Sequence, residues 1–210
     1  MNKLLAATSA LALTTFASQS HADSAQRWPN WYVGVSGAAT FLQSSDLKTT
    51  GATNRTTFDD GSEETVSLGY MPSSAMWPFS NLRIEAEGGY HYNTINGIGG
   101  VAAPGSVRIW SYMGNLYYDF RNSSQWTPYV GAGAGDANVG ISKTTGVNGS
   151  SDSVFAYQFL AGISYAPTSI PQTEWDLGYR YFTATSPTFG SVKLDDIRTN
   201  EAEIGAKFRF

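Results

Sequence analysis

The chain has 210 residues, 41% hydrophobic and 14% aromatic, with no cysteine and a formal net charge of −4. Without cysteine there is no disulfide framework, thiolate metal site or cysteine nucleophile, and an acidic balance with no arginine-rich segment argues against nucleic acid as a partner. No run of 18 apolar residues follows the amino terminus, so no helix is expected to cross a membrane.

Residues 1–22 read as a cleaved signal peptide. Lys3 supplies the positive start, Leu4 to Ala17 is an apolar stretch too short to span as a helix, and Ser20-His21-Ala22 offers small residues at a cleavage site. Residues 23–210 are then expected to form a single domain.

Eight segments of that domain alternate apolar and small or charged residues, the two-residue period of a strand. They are Trp31–Leu42, Glu64–Met71, Leu82–Tyr92, Val107–Phe120, Thr127–Ala137, Val154–Ala166, Thr173–Phe182 and the terminal stretch that ends Ala202, Ile204, Ala206, Phe208, Phe210. Each is near the roughly 9–11 residues that a tilted strand needs to cross a bilayer. Residues 43–63, 93–106, 138–153 and 183–197 are long and polar, and read as loops. Residues 72–81, 121–126 and 167–172 are shorter and carry Pro or Asn-Ser turn signals.

A soluble two-sheet sandwich also alternates, but its polar face carries scattered Lys and Glu. Here that face holds Gly, Ser, Ala and clustered opposite charges, and the apolar face is dense in Tyr, Trp and Phe, the residues of interfacial girdles. The predicted fold is all-β: an eight-stranded antiparallel up-and-down transmembrane β-barrel. An even strand count with alternating long and short connections predicts both termini periplasmic and four loops outside the cell.

Inside such a barrel the expected inward charges are Arg83, Glu85, Glu87, Asp119, Glu174, Asp176, Arg180, Glu203, Lys207 and Arg209. An eight-stranded interior is only wide enough for side chains, and an unpaired buried ion costs several kcal/mol. These groups are therefore expected to pair as an electrostatic plug. The competing reading makes Glu85 and Glu87, on one face of one strand, an acid–base pair.

Three further features have modest readings. His91 points inward by parity with no serine two residues away, which disfavours a Ser–His–acid hydrolase and leaves a polar lining residue at the rim. Gly131-Ala-Gly-Ala-Gly135 lacks the Lys-Ser/Thr and the helix of a phosphate loop, so its glycines are expected to make room for large neighbours. Asp59-Asp60-Gly61-Ser62-Glu63-Glu64 reads as a solvated acidic loop without the spacing of a Ca²⁺ loop. No cofactor and no metal are expected.

Met113-Gly-Asn-Leu-Tyr-Tyr-Asp-Phe120, Trp126-Thr-Pro-Tyr-Val-Gly-Ala-Gly-Ala-Gly135, Phe155-Ala-Tyr-Gln-Phe-Leu-Ala-Gly162, Trp175-Asp-Leu-Gly-Tyr-Arg-Tyr-Phe182 and Glu203-Ile-Gly-Ala-Lys-Phe-Arg-Phe210 resemble the opacity-type surface antigens, small outer-membrane barrels related to the OmpA transmembrane domain. The resemblance spans nearly the whole chain after the leader. It implies an outer-membrane location, contact with lipid and lipopolysaccharide, and an assembly signal at Phe208 and Phe210 read by the outer-membrane assembly machinery. Members of that group are surface antigens, adhesins or small pores. The expected role is a non-enzymatic surface protein whose loops meet host-surface molecules. A small pore is the alternative, and a lipid-modifying enzyme a weaker one.

Overall fold

The computed structural model describes residues 30–43, 45–49, 52–58, 60–72, 79–98, 101–142, 150–189 and 192–210. The predicted signal peptide lies outside them, as does Asp59. Twelve strands are present among the described residues, all in one antiparallel sheet. Eight are long: β1 (Trp31–Leu42), β4 (Gly61–Tyr70), β5 (Leu82–Ile98), β6 (Val101–Asp119), β7 (Trp126–Ile141), β8 (Ser150–Tyr165), β9 (Thr173–Ala184) and β12 (Ile197–Arg209). Each pairs with the next in chain order, and β1 pairs with both β4 (Val35↔Val66) and β12 (Val35↔Ala206). The ladder therefore closes on itself. Closure satisfies the backbone groups that an open edge would leave bare in hydrocarbon.

Four short strands, β2 (Ser45–Thr49), β3 (Ala52–Phe58), β10 (Thr188–Phe189) and β11 (Val192–Leu194), extend the sheet at the end where the long connections lie. The expected loops 43–63, 93–106, 138–153 and 183–197 are thus partly strand. β5 and β6 pair out to Ile98↔Val101, and β7 and β8 to Ile141↔Ser150. Antiparallel pairing needs only backbone partners, so these hairpins run on past the apolar band.

Side-chain alternation puts the oil outside. Val66, Ile84, Tyr112, Leu116, Phe159, Leu177 and Ile204 are exposed, Ile204 at 65%. Arg83, Glu87, His91, Arg180 and Lys207 are buried, Arg180 at 1%. Exposing a large apolar side chain to water forgoes about 1.5–3 kcal/mol, so an apolar belt around a charged interior is stable only in lipid. A water-soluble sandwich inverts that distribution. Aromatic pairs sit at both margins of the belt: Trp31–Tyr70 and Trp126–Tyr165 toward the short turns, Tyr90–Trp110 and Phe155–Tyr157 toward the long connections.

Beyond the upper aromatic margin the polarity of the two faces reverses. On β5 the inward residues change from Arg83, Glu85 and Glu87 to Ile95, while the outward ones change from Ile84 to Thr94. On β6 Val107 and Ile109 face inward and Arg108 outward. Once the outer face meets water instead of lipid, the interior must supply the apolar core. Ile95, Val107, Ile109, Val139, Phe182 and Ile197 belong to one buried cluster that fills the barrel at that end.

Candidate functional site

The lumen holds the chain's buried chemistry in two linked charge groups. Toward the short turns, Arg83 Nε lies 3.3 Å from Asp119 Oδ1, and Nη1 lies 3.6 Å from Glu85 Oε2. Arg83 Nη1 also donates to the Tyr32 hydroxyl at 3.1 Å, and its guanidinium rests 3.7 Å over the Tyr117 ring. Tyr32 and Tyr117 donate to the two oxygens of Glu85, at 2.5 and 3.0 Å. Lys207 Nζ lies 2.9 Å from Asp176 and 3.4 Å from Glu174, which also pairs with Arg209. Strand register makes these meetings possible, since Lys207 lies opposite Glu174 and Gly205 opposite Asp176.

The second group sits deeper, around Arg180. Its guanidinium lies 2.7 Å from Glu87, 2.8 Å from Glu63, 2.9 Å from Glu203 and 3.6 Å from Glu201. Arg180 Nη2 also donates to Glu87 Oε2 at 3.1 Å, so the fork grips both oxygens of that carboxylate. Gln158 donates to Glu87 and to Asn115, and Asn115 donates to Glu85 and Glu87, which joins the two groups.

His91 lies directly above, stacked 4.7 Å from the Phe182 ring at the base of the apolar cluster. Its Nε2 approaches Glu63 Oε1 at 3.5 Å and Ser111 Oγ at 3.4 Å, and its Nδ1 approaches Glu201 Oε1 at 3.3 Å.

The structure places all ten expected inward charges, Arg83, Glu85, Glu87, Asp119, Glu174, Asp176, Arg180, Glu203, Lys207 and Arg209, in these two groups. Sequence reasoning left out Glu63, Glu201, Tyr32, Tyr117, Asn115 and Gln158. Glu63 is a correction. The run 59–64 is not a solvated loop throughout, because β4 starts at Gly61 and turns Glu63 into the lumen while Asp60 and Glu64 stay exposed. Two-residue parity with Thr65 and Ser67 carried that signal. His91 is a second correction. It is fully buried in the middle of the barrel and is not a rim residue.

A serine does meet His91, from the neighbouring strand, and Glu201 meets the other ring nitrogen. Yet Ser111, His91 and Glu201 are 1%, 0% and 1% exposed, and neither the 40 Å³ lumen cavity nor the 280 Å³ cavity at the short-turn mouth is lined by Ser111 or His91. A substrate has no described route to that serine. Glu85 and Glu87 line the 40 Å³ cavity, room for only a few waters.

A closed antiparallel barrel with an apolar belt and a paired ionic interior is an outer-membrane architecture. The family model for the outer membrane protein beta-barrel domain matches residues 8–210, and the chain belongs to that family. It is a small outer-membrane barrel of the OmpA-like group and resides in the bacterial outer membrane. It is 40% identical over 86 residues to the outer membrane protein PagN of Salmonella typhimurium, covering 37% of this chain and 35% of PagN. It is 35% identical over 148 residues to an outer membrane protein of Gluconacetobacter diazotrophicus, covering 56% of this chain and 38% of that protein. The chain therefore spans about a third of the length of the curated relatives it matches. Neisserial surface protein A shares the fold with a TM-score of 0.59 at 21% identity, over 88% of this chain and all of that one.

Proposed function

We propose that this barrel is a sealed membrane anchor that presents its long connections outside the cell, with a non-enzymatic role in contacts to lipopolysaccharide or host-surface molecules. The observation that carries the reading is the double closure of the lumen. Paired charges fill the membrane-level interior, and the buried cluster of Ile95, Val107, Ile109, Val139, Phe182 and Ile197 fills the end above it. An ion crossing the barrel would have to break the Arg180 contacts and then traverse hydrocarbon.

Residues 1–22 act as the leader in this reading. Both termini and the short turns at 121–126 and 167–172 lie in the periplasm, and Phe208 and Phe210 serve as the signal for the assembly machinery. The lumen charges fix register and fill space. The long connections are the variable surface on a rigid scaffold, the usual place for recognition. In the sequence those connections are acidic on balance, with Lys48, Arg55, Lys143 and Lys193 set against Asp46, Asp59, Asp60, Asp152, Asp195 and Asp196. That acidic excess favours mixed polar contacts over simple capture of a polyanion.

The test compares cells producing the wild-type protein with cells producing versions in which residues 43–60 or 183–196 are replaced by short Gly-Ser turns. Binding to host-cell surfaces and to purified lipopolysaccharide is measured, with surface labelling of single cysteines introduced in the loops and turns. Loss of binding with retained folding supports the reading. Steady conductance of the wild-type protein in planar bilayers, with ion selectivity altered by Arg180→Gln, would replace the sealed anchor with a pore.

A further inference from the structure

We infer that Glu63, His91 and Glu201 form a binding site for one divalent transition-metal ion inside the barrel. One ligand atom from each residue lies within 4.8 Å of the others, on three different strands, β4, β5 and β12. The cluster is buried on every side. Three of its polar atoms, Glu63 Oε2, His91 Nδ1 and Glu201 Oε2, make no well-aligned hydrogen bond; Nδ1 only approaches Glu201 Oε1 at 3.3 Å, and Glu201 Oε2 only approaches Arg180 Nε at 3.6 Å. Buried polar atoms are nearly always well hydrogen-bonded, so three poorly satisfied atoms in one place have room for a ligand.

The arrangement around these atoms narrows what that ligand is. Arg180 holds Glu63 through Oε1 at 2.8 Å, which leaves Oε2 free. Thr199 Oγ1 donates to Glu201 Oε1 at 2.6 Å and fixes that carboxylate. With the ring proton on Nε2, toward Glu63 Oε1, His91 turns the Nδ1 lone pair toward Glu201, the tautomer a metal ligand takes. Two electron-rich atoms then face each other at 3.3 Å with no aligned hydrogen bond between them. Ligand atoms bound at about 2.0–2.2 Å to a tetrahedral Zn²⁺ stand roughly 3.4 Å apart.

Charge points the same way. Among the described residues, Arg180 is the one guanidinium paired with Glu63, Glu87, Glu201 and Glu203. A single positive charge leaves that pocket strongly negative, and buried charge demands compensation. An imidazole nitrogen with two carboxylates suits a first-row ion such as Zn²⁺ or Mn²⁺ better than Ca²⁺ or Mg²⁺, which prefer all-oxygen shells. Thr199 and Ser111 then play the outer-shell part that orients a ligating carboxylate and imidazole. An ion there would tie β4, β5 and β12 together across the barrel, beneath the apolar cluster.

Because the site is enclosed, the ion must enter as the barrel folds. The experiment refolds the full mature chain from urea into detergent with Zn²⁺ or Mn²⁺ alone, removes free ion by chelating resin, and measures bound metal by atomic emission. Folding is checked by the heat-dependent gel mobility of the barrel. The expected result is one retained ion per chain and a higher unfolding temperature than for protein refolded in chelator. His91→Asn and Glu201→Gln should fold and retain no ion, and Thr199→Val should weaken retention by about 10–100-fold. Glu174→Gln, at the other end of the lumen, should retain it fully. Folded wild-type protein that carries no metal above the chelator control would overturn the proposal and leave shared protons as the compensation. So would equal retention by His91→Asn. If that variant fails to fold, unchanged retention by Thr199→Val is the overturning result.

Discussion

Arg180 Nη1 lies 2.7 Å from Glu87 Oε1, joining residues 93 positions apart across the lumen from β9 to β5. The same guanidinium touches Glu63 and Glu203, so one side chain neutralises carboxylates from three other strands. Arg180→Leu removes that cation and leaves buried carboxylates facing one another. Breaking a buried pair from one side costs about 3–5 kcal/mol. We expect a matching fall in the urea midpoint of the detergent-refolded barrel, followed by gel mobility. Adding Glu87→Gln should recover part of the loss, because it withdraws one stranded charge. A midpoint equal to wild type in Arg180→Leu would mean that the network contributes nothing to stability.

Gly69 and Tyr32 define a second dependence. A Cβ added to Gly69 would stand 2.1 Å from the Tyr32 ring, and that ring is held in place by Glu85 and Arg83. Gly69→Ala is expected to cost about 1–3 kcal/mol through overpacking. Gly88, on the outer face of the same wall, has open space where its Cβ would go. Gly88→Ala should be neutral or stabilising by up to about 1 kcal/mol, since Ala gives up less backbone freedom in a strand. The two alanine variants, measured side by side by urea unfolding, separate a packing requirement from a general intolerance of strand glycines. Equal effects would remove the distinction.

Asp196, in the connection between β11 and β12, provides a pH dependence outside the membrane belt. The Ser186 backbone N–H donates to its Oδ1 at 3.0 Å, with the Ser186 hydroxyl at 2.8 Å and Arg198 Nη2 on the other oxygen at 3.1 Å. These contacts, the backbone N–H first, hold its pKa below the ordinary aspartate value. A carboxyl depressed in the folded state contributes stability that is complete above the unfolded value, near pH 4, and that disappears as pH falls through the lower folded value. The loop tether is therefore expected to hold unchanged from pH 7 to about pH 5 and to loosen only in stronger acid. Amide exchange at Ser186 reads it directly. Protection that already drops between pH 7 and pH 5, or that survives in Asp196→Ala, would contradict the assignment.

Strand positions were legible in the sequence because lipid outside and a packed lumen inside impose a two-residue period on every crossing, and Trp31–Leu42 is read to the residue. The upper ends were not, because the rule that apolar means outward holds only within the bilayer. Val107 and Ile109 carry the same residue types as the lipid face, yet they point inward once Arg108 faces water. The inward charges of β5 and β9, and Glu203, Lys207 and Arg209 of β12, followed from parity. Glu63 was hidden by its acidic neighbours, whose run reads as a loop until Gly61 is known to open β4. The meetings of His91 with Ser111 and Glu201 were beyond reach, because they depend on cross-strand register and on the barrel's closure, which no local pattern encodes.

The carboxyl-terminal strand separates a folding requirement from a delivery requirement. Phe210 N donates to Trp31 O at 3.1 Å, next to the β1–β12 seam that closes the barrel, but Phe210 is 48% exposed and Phe208 45%. The backbone bond survives replacement of the side chain, and a largely exposed ring adds little packing. Phe210→Ser should therefore shift the refolding midpoint in detergent by no more than the order of 1 kcal/mol. In cells, if the terminal aromatics are read by the assembly machinery, the same variant should reach the outer membrane in strongly reduced amount, with the remainder degraded or aggregated before insertion. Fractionation and surface labelling measure delivery, and urea titration of the purified variant measures folding. Full delivery of Phe210→Ser, and of the Phe208→Ser and Phe210→Ser double variant, would show that the terminal rings only face lipid.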